Sequence, residues 1–128
     1  MKKKVLIVDD ESDYVEMLKM RLEANEFDVV CAYDGLEGIE KARSDKPNVI
    51  LLDVMMPGID GHEVLKRLKR SHDTAGIPVV MLTAKGESRS ILNAQDSGAA
   101  DYLIKPCESS ELLDTINRSM RWQPPRRH

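Results

Sequence analysis

Aromatic residues and cysteine are scarce in this sequence. Its 128 residues include one tryptophan, one phenylalanine, three tyrosines and two cysteines. A chain of this length buries enough apolar surface to fold without disulfides, so Cys31 and Cys107 do not indicate a disulfide-stabilised secreted domain. No apolar leader follows Met1 either. We therefore expect a reducing, cytoplasmic location.

Long hydrophobic runs are absent as well. The longest aliphatic runs, residues 5–8 and 49–52, are much shorter than the roughly 20 apolar residues that span a bilayer, so we expect no membrane insertion. A content of 41% hydrophobic and 32% charged residues is typical of one globular domain. We place this domain at residues 1–120 and interpret residues 121–128 as a basic C-terminal tail or the start of a linker.

Positive charge is in short supply within the predicted domain. The formal net charge is −3, but four of the 19 basic side chains are arginines in residues 118–128, which contain no acid. Residues 1–117 therefore carry 15 basic against 22 acidic side chains, a net charge of −7. A folded part with this balance lacks the basic surface that grips nucleic acid phosphates, and we expect no direct nucleic-acid binding by this domain.

Five short aliphatic runs alternate with segments of helical spacing. The second helical segment, for example, carries Leu36, Ile39 and Ala42 on its predicted buried face, and we expect the methionines, Met20 and Met55 among them, at core-facing or strand-end positions. Because each pair of parallel strands needs a crossover helix, this alternation predicts a doubly wound α/β fold, (βα)5, with helices on both faces of a parallel sheet. The predicted strands, all expected to be buried, are residues 4–8, 28–32, 49–52, 79–82 and 102–104.

Charged and hydroxyl side chains stand where the predicted strands end. Asp9 and Asp10 follow the first strand, Asp53 the third, Thr83 the fourth and Lys105 the fifth. Ligands of doubly wound sheets bind outside the carboxyl ends of the strands. A single acid at such a position could simply cap a helix, but the combination at neighbouring strands predicts a functional site.

Three carboxylates close together at one sheet edge would repel one another, and one lysine does not balance their charge. Two unit charges about 4 Å apart repel by roughly 4 kcal/mol at an effective dielectric of about 20. Lys105 supplies one positive charge against two or three negative ones. Mg²⁺ prefers oxygen ligands and commonly takes one or two carboxylates together with water and phosphate. We therefore predict a site for one Mg²⁺ ion.

The same side chains suit the transfer of a phosphoryl group. A carboxylate can attack phosphorus and form an acyl phosphate, and the transition state needs electrostatic support at the phosphoryl oxygens. Asp53 is the candidate nucleophile, beside a metal held by Asp10 and assisted by Asp9 through water. The Lys105 ammonium and the Thr83 hydroxyl would contact the phosphoryl oxygens.

The motifs around these residues resemble those of the receiver domain of two-component response regulators, the CheY-like family. The resemblance extends over about residues 4–120 and rests on VDDE at 8–11, LDVMMPG at 52–58, LTA at 82–84 and DYLIKP at 101–106. It implies a flavodoxin-like sheet of strand order 2-1-3-4-5. Residues 1–120 would then be a receiver domain that acts as a phosphorylation-dependent signalling switch.

The resemblance also implies a role for each site residue. Asp53 would accept the phosphoryl group from a phosphohistidine of a sensor histidine kinase or phosphotransfer protein. The Mg²⁺ ligands would be Asp10, Asp53 and the backbone carbonyl of Met55, with Asp9 acting through water. Lys105 and Thr83 would assist the transfer, and the peptide bond between Lys105 and Pro106 would be cis.

A switch pair, Thr83 and Tyr102, is implied in the same way. Thr83 would turn toward the phosphoryl group while Tyr102 moves inward, and this would change the surface of the fourth helix, fifth strand and fifth helix that binds a downstream protein effector. Met55 and Lys85 occupy positions that influence hydrolysis in the family. Their bulk predicts slow autodephosphorylation in a regulatory domain that is not an enzyme.

Alternatives to a stand-alone switch remain at this point. An aspartate-nucleophile phosphatase-like enzyme would share Asp53 and Mg²⁺, although it would place a general acid where this chain has Met55. The chain could also be the receiver fragment of a longer DNA-binding regulator. Charged residues that pair receivers of one transcription-factor branch are replaced by residues that include Ala100 and Thr115, so we expect a monomer or a phosphorylation-linked dimer.

Overall fold

Five parallel strands form one sheet in the computed structural model, which describes residues 2–84 and 98–122. Hydrogen-bonded neighbours follow the order β2-β1-β3-β4-β5, and every neighbouring pair is parallel. The predicted strand order is therefore confirmed. The strands are β1 (Lys4–Val8), β2 (Asp28–Ala32), β3 (Val49–Asp53), β4 (Val79–Ala84) and β5 (Asp101–Lys105).

Four helices are described: α1 (Ser12–Ala24), α2 (Gly35–Asp45), α3 (Gly61–Arg70) and α4 (Ser109–Ser119). The predicted fourth helix falls in residues 85–97, outside the described residues, so α4 is the helix that the sequence predicts as the fifth. Within residues 2–84 and 98–122, no helix has the length and apolar character needed to cross a membrane.

Aspartate side chains begin the two helices that follow β2 and β3. The Asp34 carboxylate accepts a hydrogen bond from the backbone N–H of Glu37 at the start of α2, and Asp60 accepts one from Glu63 at the start of α3. The first N–H groups of a helix have no partner inside the helix, so these caps stabilise both helices by about 1 kcal/mol each.

Apolar side chains of the strands alternate between two layers. Leu6 and Val8 pack with α2 and α3 on one face of the sheet, whereas Val5 and Ile7 pack with α1 and α4 on the other. Successive side chains of a strand point to opposite faces, and a sheet covered on both faces buries every residue of its central strands. All five residues of β3, Val49–Asp53, are accordingly buried.

Three burial predictions are wrong. The edge strands β2 and β5 are only partly buried because each has a neighbour on one side. Leu36 is 62% exposed, since the face of α2 against the sheet includes Gly38, where a Cβ atom would lie 2.8 Å from Val8. Met20 is 68% exposed and does not face the core, whereas Met55, also exposed, lies just beyond the end of β3.

Gly61 lets α3 begin directly against the end of β3. Its N–H donates to the Val54 carbonyl at 2.9 Å. A Cβ atom at this position would lie 2.7 Å from Val54 Cα and would also meet the Asp53 carbonyl oxygen. The close approach of two backbones requires glycine here.

We expect Gly61→Ala to lower the free energy of unfolding by about 1–3 kcal/mol, because the added methyl group forces a backbone shift next to Asp53. Urea denaturation measures the change. Gly76→Ala is the control, since a Cβ atom there meets nothing within 4 Å. Equal stability of the two variants would contradict the close-approach argument.

Candidate phosphoryl and metal site

Three carboxylates meet at the carboxyl edge of the sheet. One oxygen from each of Asp9, Asp10 and Asp53 lies within 4.8 Å of the others. Asp9 is fully buried, Asp53 is 4% exposed, and Asp10 is exposed to solvent. The sheet order explains the cluster, because β1 and β3 are neighbours and their ends lie side by side. The structure thus brings together the acids that the sequence predicts as the site.

Asp53 is the last residue of β3 and lies in register with Leu82 of β4. Burial raises the pKa of its carboxyl to about 6, and the negative charge of Asp9 adds to the effect. Lys105 and a backbone hydrogen bond from Met55 act in the opposite direction. Desolvation and a like charge together outweigh the nearby ammonium, so Asp53 is a carboxylate whose negative charge is poorly compensated.

Lys105 contacts carboxylates from two parts of the chain. Its Nζ lies 2.8 Å from Asp9 Oδ2, 3.2 Å from Asp53 Oδ1 and 3.1 Å from Glu11 Oε1. Burial alone would lower the pKa of Lys105, but contacts with Asp9, Asp53 and Glu11 raise it. The peptide bond from Lys105 to Pro106 is cis, as predicted. The Lys105 ammonium therefore links the residues that follow β1 with the last residue of β3.

The buried Asp9 carboxylate shares its only charged partner among the described residues with two other acids. Asp9 Oδ1 accepts a hydrogen bond from the Glu11 backbone N–H at 2.9 Å. Asp9 Oδ2 lies 2.8 Å from the Lys105 ammonium, which also faces Asp53 and Glu11. One ammonium shared among three carboxylates leaves negative charge uncompensated at this edge. A hard cation with oxygen ligands would compensate that charge, so the donor set of Asp9, Asp10 and Asp53 fits Mg²⁺.

Thr83 lies on β4, the strand beside Asp53, and Tyr102 lies on β5, the next strand. Thr83 is buried in β4, and its hydroxyl donates to the Leu103 carbonyl at 3.4 Å, a long hydrogen bond. Tyr102 lies in β5 opposite Met81 and packs, partly buried, against the apolar layer of α2 and α3. In this structure the threonine hydroxyl therefore contacts β5.

Comparison with known proteins identifies the family. The sequence model of the response regulator receiver domain matches residues 5–117. The chain belongs to this family. Receiver domains of two-component response regulators are regulatory phosphoacceptors that work as phosphorylation switches, and they are not classical enzymes. The phosphatase-like alternative is thereby set aside, because it requires a different family.

Curated and solved relatives agree with this assignment. The response regulator ArlR of Staphylococcus saprophyticus is 38% identical over 121 residues, which are 94% of this chain and 54% of that protein. The receiver domain thus spans about half the length of this relative. The chemotaxis protein CheY4 of Vibrio cholerae is 31% identical with a TM-score of 0.87, and the match covers 93% of this chain and 99% of that one.

A more distant structure shares the fold. The receiver domain of sensor histidine kinase PA1611 from Pseudomonas aeruginosa PAO1 is 23% identical, with a TM-score of 0.86 and coverage of 94% of this chain and 98% of that one. A magnesium ion is coordinated in the active site cleft of that protein. The arrangement of strands around the cleft is therefore common to receivers of very different sequence.

Sequence reasoning missed Tyr14 as part of the site. Its ring lies beneath Lys105, with Nζ 4.9 Å from the ring centroid. Burial and the neighbouring Cys107 raise the pKa of the Tyr14 hydroxyl, and Cys107 itself is buried. Tyr14 precedes Val15 in an amphipathic helix, where its spacing indicates only packing. No local pattern connects it with Lys105, which lies far along the chain.

An open groove of about 840 Å³ lies between α2 and α3, away from the carboxylates. Arginines at its rim, among them Arg43 and Arg67, lie in the last turns of their helices, where positive charge complements the helix dipole. Arg67 also pairs with Glu63 at 3.0 Å. Helix stabilisation explains these charges, and none of the predicted site residues lines the groove.

We expect Asp53→Asn to stabilise the metal-free receiver at pH 7 by about 1 kcal/mol, after allowance for solvent screening. Because the pKa of Asp53 is raised to about 6, the folded state binds more protons than the unfolded state between about pH 4 and pH 6. The contribution of Asp53 to wild-type stability therefore falls as the pH rises through this window. Below about pH 4 the gain of the variant disappears.

Urea denaturation at pH 3.5, 5 and 7 in the presence of EDTA measures this dependence. The control variant is Asp73→Asn, which removes an exposed carboxylate outside the site. Two outcomes would contradict the conclusion that burial and the charge of Asp9 destabilise the Asp53 carboxylate. One is a gain in stability for Asp53→Asn that is the same at every pH, and the other is a gain of equal size for the control.

Proposed function

We propose that Asp53 is the phosphoacceptor of this receiver, and that the donor is a phosphohistidine of a sensor histidine kinase or phosphotransfer protein. The observation that carries the proposal is the buried Asp53 carboxylate 3.2 Å from Lys105 Nζ and beside Asp9 and Asp10. An Asp53 oxygen forms a bond to phosphorus while the bond between phosphorus and the histidine nitrogen breaks. The nearby Lys105 ammonium would then stabilise the negative charge on the phosphoryl oxygens.

One Mg²⁺ ion would be held by Asp10, Asp53 and the backbone carbonyl of Met55, with Asp9 contributing through a bound water. The exposed position of Asp10 suits entry of the ion, and Asp9 Oδ2, which shares the Lys105 ammonium with two other acids, suits a further hydrogen bond from the water of the ion. When bound, Mg²⁺ neutralises charge on the carboxylates and on the phosphoryl oxygens.

Lys105 and Thr83 would exchange partners when Asp53 is phosphorylated. The phosphoryl oxygens offer Lys105 an additional anion within reach of its present position between Asp9 and Asp53. The hydrogen bond from Thr83 to Leu103 is long, at 3.4 Å, so little free energy is lost when the hydroxyl turns to a phosphoryl oxygen. Tyr102, partly buried on the adjacent strand, would move inward into the vacated space.

The resulting change would be transmitted to a downstream protein effector through the surface of β5, α4 and the predicted fourth helix. Arg118 of α4 binds Asp101 of β5 on this surface, with 2.6 Å between Arg118 Nη2 and Asp101 Oδ2. Asp101 is therefore paired within one chain. Ala100 and Thr115 offer no charge to a second copy, which favours a monomer or a dimer that phosphorylation induces.

A slow autodephosphorylation would complete the cycle. Met55 lies two residues beyond Asp53, and its side chain is 65% exposed at the mouth of the site. A large apolar group in this place hinders a water molecule from approaching phosphorus in line with the leaving oxygen. Lys85, the other residue expected to affect hydrolysis, lies outside the described residues.

The receiver would occupy residues 1–120 of a cytoplasmic protein, with residues 121–128 as a tail or the start of a linker. A second possibility is that the chain is the receiver portion of a longer regulator whose effector domain binds DNA. The length of ArlR favours it, since this chain covers 54% of that protein. In either case the acidic receiver, with a net charge of −7 over residues 1–117, would not contact DNA itself.

We expect acetyl phosphate and Mg²⁺ to add one phosphoryl group to the wild-type protein, visible as an added mass in intact-protein mass spectrometry. Asp53→Asn removes the nucleophilic oxygen and should abolish the addition, whereas Asp73→Asn should retain it. Omission of Mg²⁺ should reduce labelling strongly in wild type. Labelling of Asp53→Asn at the wild-type level would exclude Asp53 as the acceptor.

We expect Mg²⁺ alone to raise Tm, because an ion that binds only the folded state stabilises it. At ten times the dissociation constant the gain is about 1.4 kcal/mol, or about 4 °C in Tm for a domain of this size. Asp10→Asn should abolish the shift, and Asp73→Asn should keep it. NaCl of equal ionic strength separates binding from screening; an equal shift with NaCl would argue against the metal site.

A further inference from the structure

Lys69, near the end of α3, is a partly buried lysine with an unusual set of partners. Its Nζ donates hydrogen bonds to the backbone carbonyls of Ala75 at 3.1 Å and Ile77 at 2.7 Å. Among the described residues, no carboxylate lies within ion-pairing distance of it. Burial lowers the pKa of Lys69 to about 8. An ammonium ion removed from water without a counter-charge needs other compensation.

Trp122 provides part of that compensation. The Lys69 Nζ lies 4.4 Å from the centroid of the Trp122 ring, within the range of a cation–π contact. The Trp122 N–H donates to the Ser119 carbonyl at 2.9 Å, so the chain makes one further turn after α4 before the ring meets Lys69. Trp122 is the single tryptophan of the protein, and tryptophan binds cations best among the aromatic side chains.

The contact lies at the amino edge of the sheet, opposite Asp53. Ala75 and Ile77 precede β4, and Gly98 precedes β5. Gly98 adjoins the Lys69 stem, since a Cβ atom there would lie 3.5 Å from Lys69 Cγ. Lys69 therefore connects α3, the segment before β4, the segment before β5 and Trp122, three residues beyond the end of α4.

We propose that Lys69 and Trp122 form a latch that fixes where the chain leaves the receiver. The residues just after a terminal helix normally fray because few contacts hold them. Here a charged group that already bridges two carbonyls holds the ring of Trp122 against the amino edge. Any segment beyond Trp122 starts from that edge, far from Asp53.

Two variants test the latch in the full chain. Lys69→Met keeps most of the apolar stem and removes the charge, and Trp122→Leu keeps an apolar side chain and removes the ring. Lys66→Met is the control, because Lys66 is exposed on the same helix. Trypsin cleavage after Arg121, followed by mass spectrometry, reports how often the residues around Trp122 are released.

We expect cleavage after Arg121 to be about five-fold faster in Lys69→Met and in Trp122→Leu, the effect of losing a partly exposed cation–π contact. Acrylamide should quench Trp122 fluorescence more strongly in Lys69→Met than in wild type or Lys66→Met. If Lys69→Met fails to fold, the Trp122→Leu cleavage rate decides the question. Cleavage and quenching at wild-type rates in Lys69→Met, or cleavage at the wild-type rate in Trp122→Leu, would overturn the proposal.

Discussion

The mutual repulsion of Asp9 and Asp53, held in check by Lys105, is the interaction around which the carboxyl edge of the sheet is organised. Both acids are buried, and the ammonium lies within 3.2 Å of an oxygen of each. One positive charge does not fully balance two negative charges that have lost their water. The pKa of Asp53, about 6, expresses this imbalance. Further positive charge near Asp53 would reduce this imbalance, as the proposed Mg²⁺ ion would.

The sheet order makes this arrangement possible with ordinary side chains. β1 and β3 are neighbours, so Asp9 and Asp53 end side by side, whereas β5 is separated from β3 by β4. Lys105 pairs in register with Ala84 at the end of β4. A long side chain is needed to cross that strand, and the small Ala84 leaves room for it. The need for a long side chain explains why a lysine at the end of β5 supplies the cation.

Much of this could be read from the sequence, because the deciding signals are local. Short aliphatic runs and the acids, threonine and lysine that follow them predict the strands, and parallel strands bring those side chains to one edge. One error arose because a large apolar residue was taken as buried: Leu36 is exposed, since the buried face of α2 includes Gly35 and Gly38. The contacts of Tyr14 with Lys105 and of Trp122 with Lys69 join residues distant in sequence, and no periodicity indicates such pairs.

The lysines at the two edges of the sheet therefore differ in the groups that surround them. Lys105 lies among acids that repel one another, so a new ligand can alter its contacts at small cost. Among residues 2–84 and 98–122, Lys69 contacts neutral carbonyls and a ring rather than charged groups, so no competing charges there favour a rearrangement. β5 connects the edges, since Lys105 ends the strand and Gly98 lies just before its start. A rearrangement of Lys105 would therefore act on a strand whose amino end lies beside the hydrogen-bonded Lys69. This arrangement favours movement of side chains along β5 over displacement of the whole strand.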